Sequence, residues 1–123
     1  MNSKLTIASR GSDLALWQAN HVASMLQAIG ISAELKIIKT QGDKIQHLSL
    51  EKLEGKGFFT KEIEDALLNN EADLAVHSHK DLPTESHPEL IIAAVSKRED
   101  PSELLLIRKE STDEKQKFFL KRK

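Results

Sequence analysis

VHSHKDLPTE, residues 76–85, completes a largely apolar run that begins Asp73-Leu74-Ala75. A short run of this kind reads as a buried strand. It ends in two His, a Lys, an Asp and a Pro, and a proline does not continue a central strand. Ionic groups at the mouth of a core are costly to desolvate unless something uses them, so a strand that ends this way marks a candidate site. Asp81 is the candidate catalytic residue there.

Outward from this stretch, the pattern alternates. Lys4 to Ser9 (KLTIAS) is apolar and partly β-branched, a strand. Arg10-Gly11-Ser12 follows, and Ser12 suits an N-cap with Asp13 at the positive end of the helix dipole. Leu16, Ala19, Ala23, Leu26 and Ile29 recur at helical intervals, and Gly30 stands at the C′ position. Ser32 to Thr40 (SAELKIIKT) is a second strand. Residues 41–57 read as a long mobile loop with room for one helical turn, and loops of this length often serve as functional lids. A helix from the cap Thr60 to Asn70 presents Ile63, Ala66, Leu67 and Asn70 on one face. Asp73 to His77 is the third strand and Leu90 to Val95 (LIIAAV) the fourth. Beyond Pro101, Glu103 to Arg108 reads as a strand and Ser111 to Lys123 as a helix.

Strands alternating with helices predict an α/β domain with a mainly parallel sheet flanked by helices. In such a sheet the helix N-termini and strand carboxyl ends share one edge, and ligands bind there. Arg10 to Ser12, the 41–57 loop and His77 to Asp81 are all expected at that edge.

At 123 residues the chain is long enough for a real core without staples. A net charge of −1 gives no global field for nucleic acid or a membrane surface, so neither is expected as a partner. There is no cysteine, so thiolate metal sites, disulfides and thioether-linked groups cannot form on these residues. No apolar run approaches the roughly 18 residues of a membrane span, and no apolar leader precedes the first strand. The expected location is cytoplasmic.

The individual clusters carry two readings each. Arg10-Gly11-Ser12 joins a strand to a helix N-terminus, where free N–H groups, a hydroxyl and a guanidinium favour a carboxylate or phosphate; a plain capping turn with a solvent-facing Arg fits the same spacing. Lys80 and Asp81, adjacent on an extended segment, would point opposite ways and need not pair, which leaves each free for a ligand. A neutralised ion pair and a surface turn are the alternatives. An ionised Asp there could stabilise a cation or take up a proton. His77 and His79 with Asp81 offer only two imidazoles and no thiolate, so no metal is expected. Gly55-Lys56-Gly57-Phe58-Phe59 lacks the spacing of a phosphate loop, and its two Phe suit a core anchor or a ring facing the cleft.

Taken together, IASRGSDLALWQAN, then TQGDKI, GKGFFTKEIEDALLNNEADLAVHSHKDLPTE and KREDP closely resemble the porphobilinogen deaminase (hydroxymethylbilane synthase) family. The similarity covers nearly all of residues 4–108, in order. It implies a transferase of tetrapyrrole (heme) biosynthesis that condenses four porphobilinogen units into hydroxymethylbilane and releases ammonia. The family builds its chain on a dipyrromethane cofactor held by a cysteine. Its first two domains resemble the lobes of type II periplasmic solute-binding proteins.

Position by position, the resemblance makes Asp81 the catalytic carboxylate. It makes Lys80, Asp43, Ser12 and Arg10 cofactor-binding, and Arg10, Ser12, Lys56 and Phe59 substrate-binding. Lys52, Lys56 and Phe59 would belong to a lid. Porphobilinogen and the growing oligopyrrole are the implied partners, and the full-length enzyme is expected to be a monomer. Gln41 stands where many relatives have Arg, and His79 where they have an apolar residue. Family chains are more than twice this length. The expected organisation is therefore an incomplete periplasmic-binding-protein-like lobe over residues 1–97, without its return strand. Residues 98–123 would be a crossover hinge and the start of a truncated second domain. An N-terminal fragment of this kind is expected to be inactive alone. A second reading, of a different class, is a non-catalytic anion-binding module of solute-binding-protein type.

Overall fold

The computed structural model describes residues 4–44 and 59–98. Residues up to Ile92 form one compact unit and Ala93 begins another, of which residues 93–98 are described and carry neither helix nor strand. In the first unit, strand β1 (Leu5–Ser9) leads into helix α1 (Asp13–Ala28) and strand β2 (Ala33–Ile37). A single turn α2 (Gln41–Lys44), helix α3 (Lys61–Leu68) and strand β3 (Leu74–Ala75) follow, and then a 3-10 turn at His79–Asp81. The expected elements Glu103–Arg108 and Ser111–Lys123 lie outside the described residues, as does most of the 41–57 loop.

The sheet is parallel in the order β2-β1-β3. Leu5 to Ser9 pair with Ala33 to Ile37, and Ile7 and Ala8 pair with Leu74 and Ala75. As the central strand, β1 is covered on both faces, and Ile7, Ala8 and Ser9 are fully buried. The chain passes first to one side of β1 and then to the other, and right-handed crossovers then set α1 and α3 on opposite faces. Alternation along β1 agrees: Ala8 clusters with Ile63 of α3 and with Ala72, so its neighbour Ile7 points the other way, toward α1.

Both helices are closed by local chemistry. Ser12 is extended, and its Oγ accepts the Ala15 N–H at 3.3 Å, the expected N-cap. At the other end Gly30 takes φ +84°, the Gly30 N–H donates to Gln27 O and the Ile31 N–H to Leu26 O. These are the two bonds of a Schellman turn. Helix α3 ends the same way with an asparagine. Asn70 takes φ 59°, and the N–H groups of Asn70 and Glu71 bond Leu67 O and Ala66 O. The expected helix to Asn70 thus stops at Leu68, because Asn70 leaves the helix as the left-handed terminator. Thr60 holds the N-cap position but its side chain makes no cap bond.

Two strand expectations are corrected. The third strand is two residues long, not five. Asp73 is exposed; its N–H donates to Thr6 O at 2.9 Å, but the returning Thr6 N–H goes to its side-chain Oδ2 at 2.7 Å and not to a backbone carbonyl. Past Ala75 the partner strand has one residue left before it becomes the Arg10 turn. Leu90 to Val95 forms no strand: Ile91 and Val95 are 85% and 73% exposed. Its β-branched composition suits a strand, but a strand exists only with an edge to pair with, and β3 is too short to offer one.

Candidate functional site

A parallel sheet whose winding reverses at β1 has its ligand crevice outside the carboxyl ends of the two strands flanking the reversal, here β1 and β3. A small pocket lies there, open to solvent, with about 30 Å³ of space inside its mouth. Its polar lining comes from the two segments that leave those strands and from α1: Arg10 and Ser12, Gln18, and His77, Ser78 and Asp81.

Arg10 is held on an edge and on a face. Its Nε and Nη2 donate to Asp43 Oδ1 at 3.1 and 2.6 Å, and the Phe59 ring centroid lies 4.2 Å from its guanidinium carbon. The pair is largely sheltered, with 21% and 24% side-chain exposure, so solvent screens it less than a surface ion pair. Asp43 is fixed from its other side. Its Oδ2 accepts the Thr40 N–H at 3.1 Å and the Thr40 hydroxyl at 2.7 Å.

Burial pushes the Asp43 carboxyl up, but the hydrogen bonds from Arg10 and Thr40, with the Arg10 charge, outweigh it and hold the pKa below the ordinary 3.8. A carboxylate depressed by folding binds fewer protons in the native state, so it stabilises the fold above the unfolded value. That stabilisation disappears as pH falls through the depressed native value. Denaturant unfolding of the wild type and of Asp43→Asn should therefore show a stability gap at pH 6–7 that closes below about pH 4. An equal gap at every pH would contradict the assignment.

Ser12 Oγ spends a lone pair on the Ala15 N–H, so its proton is free to donate toward an anion in the pocket. Gln18 reaches across from α1 and bonds Ser78 at 3.0 Å, tying the helix to the segment that carries Asp81. Burial pushes the His77 imidazole down; Asp81 counters this and Arg10 adds to it, so His77 is neutral near pH 7. Asp81 is the one carboxylate on the described lining, with a side chain 24% exposed.

The expected site residues thus sort into groups. Arg10, Ser12 and Asp81 share the pocket. Asp43 and Phe59 stand behind Arg10. Lys80 does not line the pocket; it is 75% exposed and its Nζ lies 3.0 Å from Asp81 Oδ1. That corrects the expectation that the two side chains diverge, because residues 79–81 curl into a 3-10 turn and are not extended. Lys52 and Lys56 lie outside the described residues. His77 lines the pocket and His79 is exposed. Gln18, Ser78 and Thr40 were not anticipated. Gln18 has a sequence signal, a polar residue three positions after Ala15 in the row leading from the N-cap.

The family model described as "Porphobilinogen deaminase, dipyromethane cofactor binding domain" matches residues 5–119. Curated relatives carry the same enzyme name. The chain is 57% identical over 103 residues to the porphobilinogen deaminase of a Nitratiruptor species, covering 84% of this chain and 33% of the relative. It is 56% identical over 107 residues to that of Syntrophomonas wolfei subsp. wolfei, covering 85% and 35%. It is 52% identical over 104 residues to that of Helicobacter hepaticus, covering 84% and 32%. The chain spans about a third of the length of these curated relatives.

Proposed function

The chain belongs to the porphobilinogen deaminase family and matches its cofactor-binding domain, and on that premise we propose that it supplies one wall of a site that condenses porphobilinogen into hydroxymethylbilane. The observation that carries the reading is the convergence of Arg10, Ser12 and Asp81 on one pocket at the β1/β3 edge. Porphobilinogen carries two carboxylates. A guanidinium, a hydroxyl and the first turn of α1 are complementary to such groups.

In this reading Arg10 and Ser12 bind the acid side chains and hold the pyrrole in place. Asp81 stabilises the positive charge that appears on the substrate when its amine leaves as ammonia, and takes up the ring proton released when the new carbon–carbon bond forms. The neutral imidazole of His77 adds no competing charge beside it.

The donor set also fits a dipyrromethane, whose acid groups Arg10 and Ser12 would hold in the pocket, with Asp43 acting through Arg10. Lys80, outside the lining and paired with Asp81, would turn from Asp81 to reach one. When bound, that group supplies the pyrrole carbon from which the chain grows. It is not anchored on these 123 residues, which contain no cysteine. Lys56, Lys52 and Phe59 are assigned to the lid side, with Lys56 steering acidic pyrroles. The domain is read as a type II periplasmic-binding-protein-like lobe over residues 1–97, with residues 98–123 as crossover. A cytoplasmic, monomeric whole enzyme goes with this reading. Among the described residues, no helix is long and apolar enough to cross a membrane.

The test is a full-length deaminase in which these residues supply the first domain. It should convert porphobilinogen into hydroxymethylbilane, followed as uroporphyrin after cyclisation and oxidation, whereas the 123-residue chain alone should yield none. A folded hybrid without product, or product from the pure chain, would refute the corresponding half of the proposal.

A further inference from the structure

We infer that Thr40 and Gly42 are positioning residues that aim Arg10, so that its end-on edge alone is offered to a carboxylate in the pocket. This rests on the reading of the pocket given above. A guanidinium has two forks, a side-on one at Nε and Nη2 and an end-on one at Nη1 and Nη2. Asp43 occupies the side-on fork, with Oδ1 at 3.1 Å from Nε and 2.6 Å from Nη2. Among the described residues Nη1 bonds no acceptor, and Arg10 lines the pocket. An acid group therefore meets Arg10 along the axis of its side chain and not from its flank.

What sets that orientation is Asp43, and what sets Asp43 is Thr40. The Thr40 side chain is fully buried and donates to Asp43 Oδ2 at 2.7 Å, while Asp43 Oδ1 takes the shorter Arg10 contacts and Oδ2 only a 3.4 Å one from Nε. A carboxylate held this way cannot swivel to release the side-on fork. Gly42 acts on the other face. A Cβ at Gly42 would lie 2.6 Å from Phe59 Cδ1 and 2.8 Å from Cζ, distances that require the ring to move. Only a residue without a side chain lets Phe59 seat against the guanidinium, which it does at 4.2 Å. The four residues Thr40-Gln41-Gly42-Asp43 thus fix both an edge and a face of a side chain that lies beyond the end of a different strand.

The experiment reads the Arg10 Nε–H resonance of the isotopically labelled chain, assigned by its loss in Arg10→Lys. In the wild type its hydrogen exchange should be slow, because Nε donates into a sheltered carboxylate. Thr40→Val removes the hydroxyl at constant shape and should speed that exchange by about tenfold, and Thr40→Ser should restore it. Gly42→Ala should abolish the ring-current shift at Nε–H. Backbone spectra report that each variant is folded. If Thr40→Val fails to fold, Asp43→Asn gives the same reading at a partly exposed position. Wild-type Nε–H exchange and shift in folded Thr40→Val and Gly42→Ala, or in Asp43→Asn, would overturn the inference.

Titration with porphobilinogen separates this from the proposed function. Weaker binding by about 3- to 10-fold in Thr40→Val, rescued in Thr40→Ser, supports both. An Arg10 signal that responds to the substitutions but not to porphobilinogen keeps the positioning role and removes the ligand.

Discussion

Asp81→Ala, in a full-length deaminase carrying this domain, should lower kcat by about 10²- to 10³-fold with a change in KM of less than about threefold. The split follows from the division of the pocket. Arg10 and Ser12 are the lining groups suited to the acid side chains, and these are charged throughout the reaction, so their contacts contribute to binding. Asp81 is the one carboxylate on the described lining, and in the proposed reaction it faces the cation that forms on the pyrrole as ammonia leaves. Opposite charges about 4 Å apart at an effective dielectric near 20 attract by about 4 kcal/mol, roughly a thousandfold in rate. The 3.0 Å contact with Lys80 offsets part of that, but Lys80 is 75% exposed and its charge is shared with water. Lys80→Ala should accordingly leave kcat within about tenfold, and Asp81→Asn should fail to rescue. Steady-state kcat and KM decide the matter: an Asp81→Ala enzyme within threefold of wild-type kcat would remove Asp81 from the chemistry.

The fold was legible where its signals are local. Ser12 and Gly30 announce the ends of α1 because a cap and a left-handed terminator each depend on a few neighbouring residues. Asn70 carried the same information in less familiar form, and its place on an apparent helical face concealed it. Strands were legible only where a partner existed. The LTIAS run found two partners and is a strand. The LIIAAV run has a comparable composition and is not one, because pairing is a property of two segments and composition of one.

The site divides in the same way. That Arg10, Ser12 and Asp81 should meet follows from parallel topology, since loops after neighbouring strands leave the same edge. What those residues touch does not follow. The Gln18–Ser78 bond joins residues 60 apart, and the Arg10–Asp43 pair joins residues 33 apart. No spacing rule predicts either. Lys80 and Asp81 were misread for a different reason. Their relation depends on whether three residues are extended or curled, and the Pro two positions later permits both. Phe59 suited a cleft-facing ring because aromatic residues often line ligand pockets. Its seat on Arg10 exists because Gly42, far earlier in the chain, leaves the space.

Arg10→Ala should act on binding and on Asp43 together. With His77 neutral, the guanidinium is the only cation on the described lining, so its loss takes away the group proposed to receive an acid side chain. A charge-assisted hydrogen bond contributes about 1.5–3 kcal/mol, so porphobilinogen affinity should fall about 10- to 100-fold. The same substitution leaves Asp43 with Thr40 as its remaining partner. Burial already raises that carboxyl, and two of the effects that lower it come from Arg10. The Asp43 pKa should therefore rise in the variant, a shift readable by carbon-13 titration of its side-chain carboxyl. Arg10→Lys should recover little of the affinity. An ammonium is a single point of charge and cannot hold Asp43 with one edge while offering another to a ligand. The two readouts separate a positional role from simple charge. If Arg10→Lys binds porphobilinogen as tightly as the wild type, a cation is all the pocket requires, and the fork geometry that Asp43 and Thr40 maintain has no bearing on recognition.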